Sequence, residues 1–112
     1  MKINNISIVI PVLNEEKNLV KLIEEIKKNK NKIKIKNFEL IIIDDNSNDN
    51  SKLILKKYSK KNRFIKFFIR KKLPRDLSKS CLIGFNASIY ENILVMDGDL
   101  QHPPRFIRHL SK

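Results

Sequence analysis

Asp97, Asp99 and Gln101 alternate along ILVMDGDLQHPP, the stretch from Ile93 to Pro104. On an extended backbone alternate side chains share a face, so the three oxygen-bearing groups point the same way. Oxygen donors of this kind suit a hard divalent cation, Mg²⁺ or Mn²⁺, which dehydrates reluctantly and is usually shared with substrate phosphates. Gly98 leaves room between them for close backbone approach. Standing alone, the same triplet would serve equally as a turn with solvated aspartates, and His102 reads as structural rather than as a ligand.

The other acids show where such a triplet belongs. Asn14 and Glu15 follow the apolar run Ile6 to Ile10, Asp44 and Asp45 follow Phe38 to Ile43, and Asp97 and Asp99 follow Ile93 to Met96. If those runs are parallel strands, Glu15, Asp44, Asp45, Asp97 and Asp99 share one sheet edge, five of the twelve acidic residues. Open parallel sheets bind ligands at that carboxyl edge, where strand order reverses. There is no G-x-x-x-x-G-K-[ST] or G-x-G-x-x-G sequence, and the chain holds only two glycines. Bound phosphates would therefore be neutralised by a metal and basic side chains, not by a glycine-rich cradle. Neither Ser/His/Asp catalysis nor Cys/His zinc spacing has support.

The elements that must position these residues follow from periodicity. ISIVI, FELIII, IKFFI and ILVM predict four strands, the second and fourth nearly continuously apolar, as in strands buried on both faces. Between Glu15 and Lys28 the residues Leu19, Leu22, Ile23 and Ile26 lie at helical spacing, with Asn14 as the expected N-cap. Ser51 to Ser59 predicts a second helix. Leu77 to Ile89 predicts a third, with Leu77, Cys81, Phe85 and Ile89 on its apolar stripe and Cys81 in the core. KKNKNKIKIK, Lys27 to Lys36, is expected to be the solvated loop into the second strand. Pro103 and Pro104 suit the first turn of a further helix. Strands alternating with helices imply an α/β fold: a parallel sheet of about four strands with helices on both faces.

Bulk properties set the outer bounds. The chain has 112 residues and a formal net charge of +12, with 24 Lys and Arg against 12 Asp and Glu. That balance suits anionic partners such as phosphorylated ligands, an anionic membrane surface or nucleic acid, or reflects a general bias toward Lys, Ile and Asn. One cysteine excludes an intrachain disulfide. The N-terminal apolar run is too quickly interrupted for a signal peptide, and no stretch approaches the length of a membrane span. The expectation is a cytoplasmic chain whose membrane contact, if any, is peripheral.

In this order and spacing, IVIPVLNEEKNL, LIIIDDNSNDNS, RDLSKSCLIGF and ILVMDGDLQHPP resemble the motifs of family 2 glycosyltransferases of GT-A fold. Within that family they look most like the dolichyl-phosphate (polyprenyl-phosphate) mannose synthase branch. The resemblance implies a Rossmann-like nucleotide-sugar-binding half and inverting, metal-dependent transfer of a sugar to a polyprenyl phosphate at a membrane surface. The donor it implies is a nucleotide-diphosphate sugar, typically GDP-mannose. It matches Pro11, Leu13, Glu15, Ile43 and Asp45 to donor-nucleotide contacts, Asp45 holding the nucleoside. It matches Asp97, Gly98 and Asp99 to the donor and metal motif, with Asp99 catalytic and Gln101 a further metal-side ligand. Arg75 and Asp76 match an arginine-led loop that shapes the donor site, and Lys79 falls beside it. Asn46 stands where the family commonly has Gly, and asparagine tolerates the left-handed geometry required there. Residues 1–112 would form one such domain, truncated before its acceptor-binding half. A phosphoacceptor receiver domain would instead place its acidic pair after the first strand. A nucleic-acid-binding module lacks an aromatic-interleaved basic motif here, so no nucleic acid is expected.

Overall fold

A computed structural model describes residues 4–32, 36–96 and 105–108. Strand β1 (Asn5–Val12) leads to helix α1 (Glu16–Lys32), β2 (Asn37–Asp44), α2 (Ser51–Lys61), β3 (Ile65–Ile69), α3 (Leu77–Ala87), β4 (Asn92–Val95) and β5 (Arg105–Arg108). The sheet order is β3-β2-β1-β4-β5. The first four strands are parallel, and β5 pairs antiparallel with β4, Val95 opposite Arg105. Strand order therefore reverses between β1 and β4, whose carboxyl ends flank the ligand-binding crevice of such sheets.

Alternation along the strands builds two cores. Ile6, Ile8, Ile10 and Val12 of β1, with Leu40 and Ile42 of β2, pack against Leu19, Leu22, Ile23 and Ile26 of α1 and Leu55 of α2. Val9, Ile41, Ile43 and Ile93 point the other way, toward Ile83, Phe85 and Ala87 of α3. Helices thus cover both faces, as the continuous apolar runs require. Each buried Leu or Ile contributes roughly 1.5–3 kcal/mol, which outweighs the tenths of a kcal/mol separating ordinary helix propensities.

Several expectations need correction. Helix α1 continues to Lys32, so Lys27 to Lys32 are helical and not part of a loop, in keeping with the good helix propensity of lysine. The segment after Pro104 forms strand β5 where a helix was expected. That strand supplies hydrogen-bond partners along β4, whose other side is taken by β1.

Helix α3 departs most from its reading. Leu77 and Ile89 are exposed and Cys81 is half-buried, whereas Ser80 and Gly84 are buried. A Cβ placed on Gly84 would lie 2.3 Å from a methyl carbon of Val9, so the helix backbone rests almost directly on β1. The helix ends at Ala87 because the next residues turn to other partners. Ser88 Oγ donates to the Gly84 carbonyl at 2.8 Å, and the Ile89 N–H reaches Glu39 Oε2 at 2.7 Å.

Glu39 anchors the edge of the sheet opposite the acidic one. Its buried carboxylate also accepts from Ser7 Oγ at 2.5 Å and lies 2.7 Å from Lys66 Nζ. Burial pushes this carboxyl up, but Lys66, Ser7 and the Ile89 N–H together hold it below the ordinary glutamate value.

Gly84→Ala should destabilise the fold by about 1–3 kcal/mol through overpacking, against a helix-propensity gain of about 1 kcal/mol. Urea unfolding followed by circular dichroism measures it. An unchanged or raised midpoint would show that α3 can move away from Val9 at no cost.

Candidate functional site

The carboxyl edge is built by loops that hold one another. After β1, Asn14 takes a left-handed conformation with φ 52°. Its N–H donates to Ser47 Oγ at 2.8 Å, and its Oδ1 accepts from the Asn48 N–H at 2.7 Å. Asn14 is therefore a brace between loops and not the N-cap of α1. The first turn closes instead on the Glu15 carbonyl, which accepts from the Asn18 and Leu19 N–H groups. Glu15 Oε2 takes the Asn18 side-chain amide at 3.2 Å.

Asp44 and Asp45 point to opposite faces, as neighbours at a strand end must. Asp44 is fully buried and accepts from both the N–H and the hydroxyl of Ser47, closing the loop after β2. Asn46 follows with φ 64°, and Lys52 Nζ donates to its Oδ1 at 2.8 Å. Asp49 bridges two helix starts: Oδ2 accepts from the Glu16 N–H and Oδ1 from the Ser51 N–H. Burial pushes the Asp49 carboxyl up, but hydrogen bonds from Ser51 and Glu16 hold it below the usual aspartate range.

Asp45 is the centre of the arrangement. Its Oδ1 accepts from Arg70 Nη1 at 3.0 Å and its Oδ2 from the Asp76 N–H at 2.7 Å. Arg70 also donates to the Pro74 carbonyl at 2.9 Å. Arg75 Nη2 donates to the Asn46 carbonyl at 3.0 Å, and Asp76 caps α3 by accepting from the Lys79 N–H. One carboxylate thus ties the ends of β2 and β3 to the start of α3. A carboxylate offers about four lone-pair directions, and two are used here, which leaves Asp45 able to accept from a ligand N–H.

Of the residues expected at a site, Leu13, Glu15 and Asp45 lie on this edge beside Asn46, Arg75 and Asp76. Pro11 and Ile43 are register partners, both buried, and form the floor beneath the loops. Asp97, Gly98, Asp99, Gln101 and His102 lie outside the described residues. The strand leading to them ends at Val95, and the Met96 N–H still donates to the Val9 carbonyl at 3.0 Å. Among the described residues no group of three or more His, Cys, Asp or Glu could hold a metal ion.

Arg70, Ser47 and Asp49 were not anticipated from the sequence. The Asn/Ser/Asp-rich stretch around Ser47 and Asp49 is itself a signal of side-chain-to-backbone turns. Arg70 carries no such signal, being one cation among many after a strand.

A family model, Glycosyl transferase family 2, matches residues 7–112. An undecaprenyl-phosphate 4-deoxy-4-formamido-L-arabinose transferase of Proteus mirabilis is 34% identical over 111 residues, 97% of this chain and 33% of the relative. A dolichol-phosphate mannosyltransferase of Pyrococcus furiosus is 33% identical over 105 residues, covering 94% of this chain and 28% of the relative. The chain spans about a third of the length of the curated relatives it matches. Among solved structures, a Pyrobaculum calidifontis mannosyltransferase in complex with GDP-Man and Mn²⁺ superposes with TM-score 0.70 at 13% identity, over 84% of this chain and 27% of that one. S. aureus TarS in complex with UDP-GlcNAc gives 0.69 at 23% identity, over 85% and 26%. These likenesses show a common fold, the GT-A type.

Arg70→Met should cost about 3–5 kcal/mol, because it leaves the Asp45 carboxylate buried without its counter-charge. In a double-mutant cycle, adding Asp45→Asn should recover part of that loss in urea unfolding. A cost below about 1 kcal/mol, the range of an exposed pair, would show that the ion pair does not hold the edge together.

Proposed function

The chain belongs to glycosyl transferase family 2, and from that premise we propose that it forms the donor-binding part of an enzyme that moves a sugar from a nucleotide-diphosphate donor to a polyprenyl phosphate. GDP-mannose is the favoured donor, and a dolichyl or undecaprenyl phosphate the favoured class of acceptor. The observation that carries this reading is the convergence of Leu13 to Glu15, Asp44 to Asn46 and Arg75 to Asp76 on the edge where strand order reverses. Residues 1–112 act in it as one GT-A domain.

Each group has a part set by its chemistry. Asp45, held by Arg70, accepts an N–H of the nucleoside through the lone pairs that remain. Pro11, Leu13, Glu15 and Ile43 wall the nucleotide, with Leu13 exposed and Glu15 partly so, over the buried Pro11 and Ile43. Asp97, Gly98 and Asp99 are assigned to the diphosphate end, with Asp99 as the catalytic carboxylate. The all-oxygen donor set of Asp97, Asp99 and Gln101 fits Mg²⁺ or Mn²⁺, and these residues would hold it. Such a cation, when bound, stabilises the charge that develops on the departing nucleoside diphosphate. The acceptor phosphate is already an anion near neutral pH, so no strong general base is needed and a single inverting displacement suffices.

Calorimetry with GDP, GDP-mannose, UDP and UDP-GlcNAc, with and without Mn²⁺, tests the assignment. Guanine ligands should bind in the presence of the metal, and Asp99→Ala should weaken them at least about tenfold, or 1.4 kcal/mol. Absence of binding by all four ligands, or binding indifferent to both metal and Asp99→Ala, would refute it.

A further inference from the structure

The segment between β3 and α3 does more than carry Arg75 and Asp76. Lys71, Lys72, Leu73, Pro74 and Arg75 are all exposed, as are Leu77 and Lys79. Leu73 is 72% exposed and Leu77 61%, a high exposure for leucines on so short a stretch. Among the described residues Lys71, Lys72 and Lys79 have no acidic partner; of the acids beside the segment, Asp45 is engaged by Arg70 and the Asp76 N–H, and Asp76 has its carboxylate engaged at the start of α3.

This segment is also held in place. Arg70 grips the Pro74 carbonyl, Asp45 grips the Asp76 N–H, and Arg75 reaches the Asn46 carbonyl. Its apolar tips are therefore presented without further ordering on binding, which removes one of the main costs of association. The segment leaves β3 at Ile69, the register partner of Asp44, so it projects from the carboxyl edge of the sheet.

We propose that Lys71–Leu77 docks this edge onto an anionic membrane surface, with Leu73 and Leu77 entering the acyl boundary and Lys71, Lys72 and Arg75 at the headgroups. Exposed apolar residues ringed by cations are the composition of an interfacial anchor, in which burial and attraction to anionic lipid add together. A nucleic acid would gain nothing from the leucines, since base stacking needs aromatic or guanidinium planes. The proposal stands on this surface alone. If the reading as a lipid-phosphate glycosyltransferase also holds, docking brings the donor edge to the acceptor.

The chain contains no tryptophan, so Leu73→Trp introduces a single reporter at an exposed position. Vesicles of equimolar phosphatidylcholine and phosphatidylglycerol, free of nucleotide and polyprenyl phosphate, should shift its emission to the blue, and brominated acyl chains should quench it. Pure phosphatidylcholine should not shift it. Replacing both Lys71 and Lys72 by Ala should lower partitioning about 25-fold, at about fivefold per cation. Leu53→Trp on α2 is the comparison, a 66% exposed leucine also set among lysines. Its emission should not move. No shift for Leu73→Trp on anionic vesicles would overturn the proposal, as would an equal shift for Leu53→Trp. So would salt-sensitive binding to single-stranded RNA together with vesicle binding that Leu73→Asp leaves intact. Circular dichroism of each variant confirms that a lost signal is not lost folding.

Discussion

Asp45 and Arg70 form a buried ion pair at 3.0 Å, with side chains 8% and 5% exposed. Removing two charges from water is expensive, and their mutual attraction repays it only where the remaining hydrogen-bonding capacity is also met. Here the Asp76 N–H donates to the second carboxylate oxygen and the Pro74 carbonyl takes a further bond from the guanidinium. The loop after β2 and, about thirty residues further on, the stretch from Arg70 to Asp76 are thereby fixed to one carboxylate. The entry to α3, the loop after β2 and the exposed segment after β3 all take their positions from it.

That edge works because the opposite one is equally fixed. Glu39 collects Ser7, Lys66 and the Ile89 N–H beneath the end of α3, while Gly84 lets the helix lie against Val9. Helix α3 therefore has little freedom to slide, being capped by Asp76 at one end and released at Glu39 at the other. A site assembled from loops gains its precision from such rigid supports.

Strands β1 and β2 and helix α1 were legible because their apolar residues follow the period of the structure they form. Helix α3 was misread for a physical reason. Its buried face consists of Ser80 and Gly84, small residues that permit close approach, and hydrophobicity does not register closeness. Strand β5 was misread because two prolines suit a helix start, whereas they equally favour the extended backbone that precedes a strand. At the site, the acids were legible but their duties were not all alike. Asp44 closes its own loop through Ser47, so part of the acidic clustering is scaffold. Arg70 was invisible because nothing distinguishes a buried arginine from a solvated one in so basic a chain.

The central claim is that the carboxyl edge around Asp45 receives a nucleotide. Amide chemical-shift mapping of the ¹⁵N-labelled chain, titrated with GDP and Mg²⁺, tests it most directly. The largest shifts should fall at Leu13 to Glu15, Asp44 to Asn46 and Arg75 to Asp76. Shifts gathered instead around Ser7, Glu39 and Ile89, or none at saturating GDP, would contradict it.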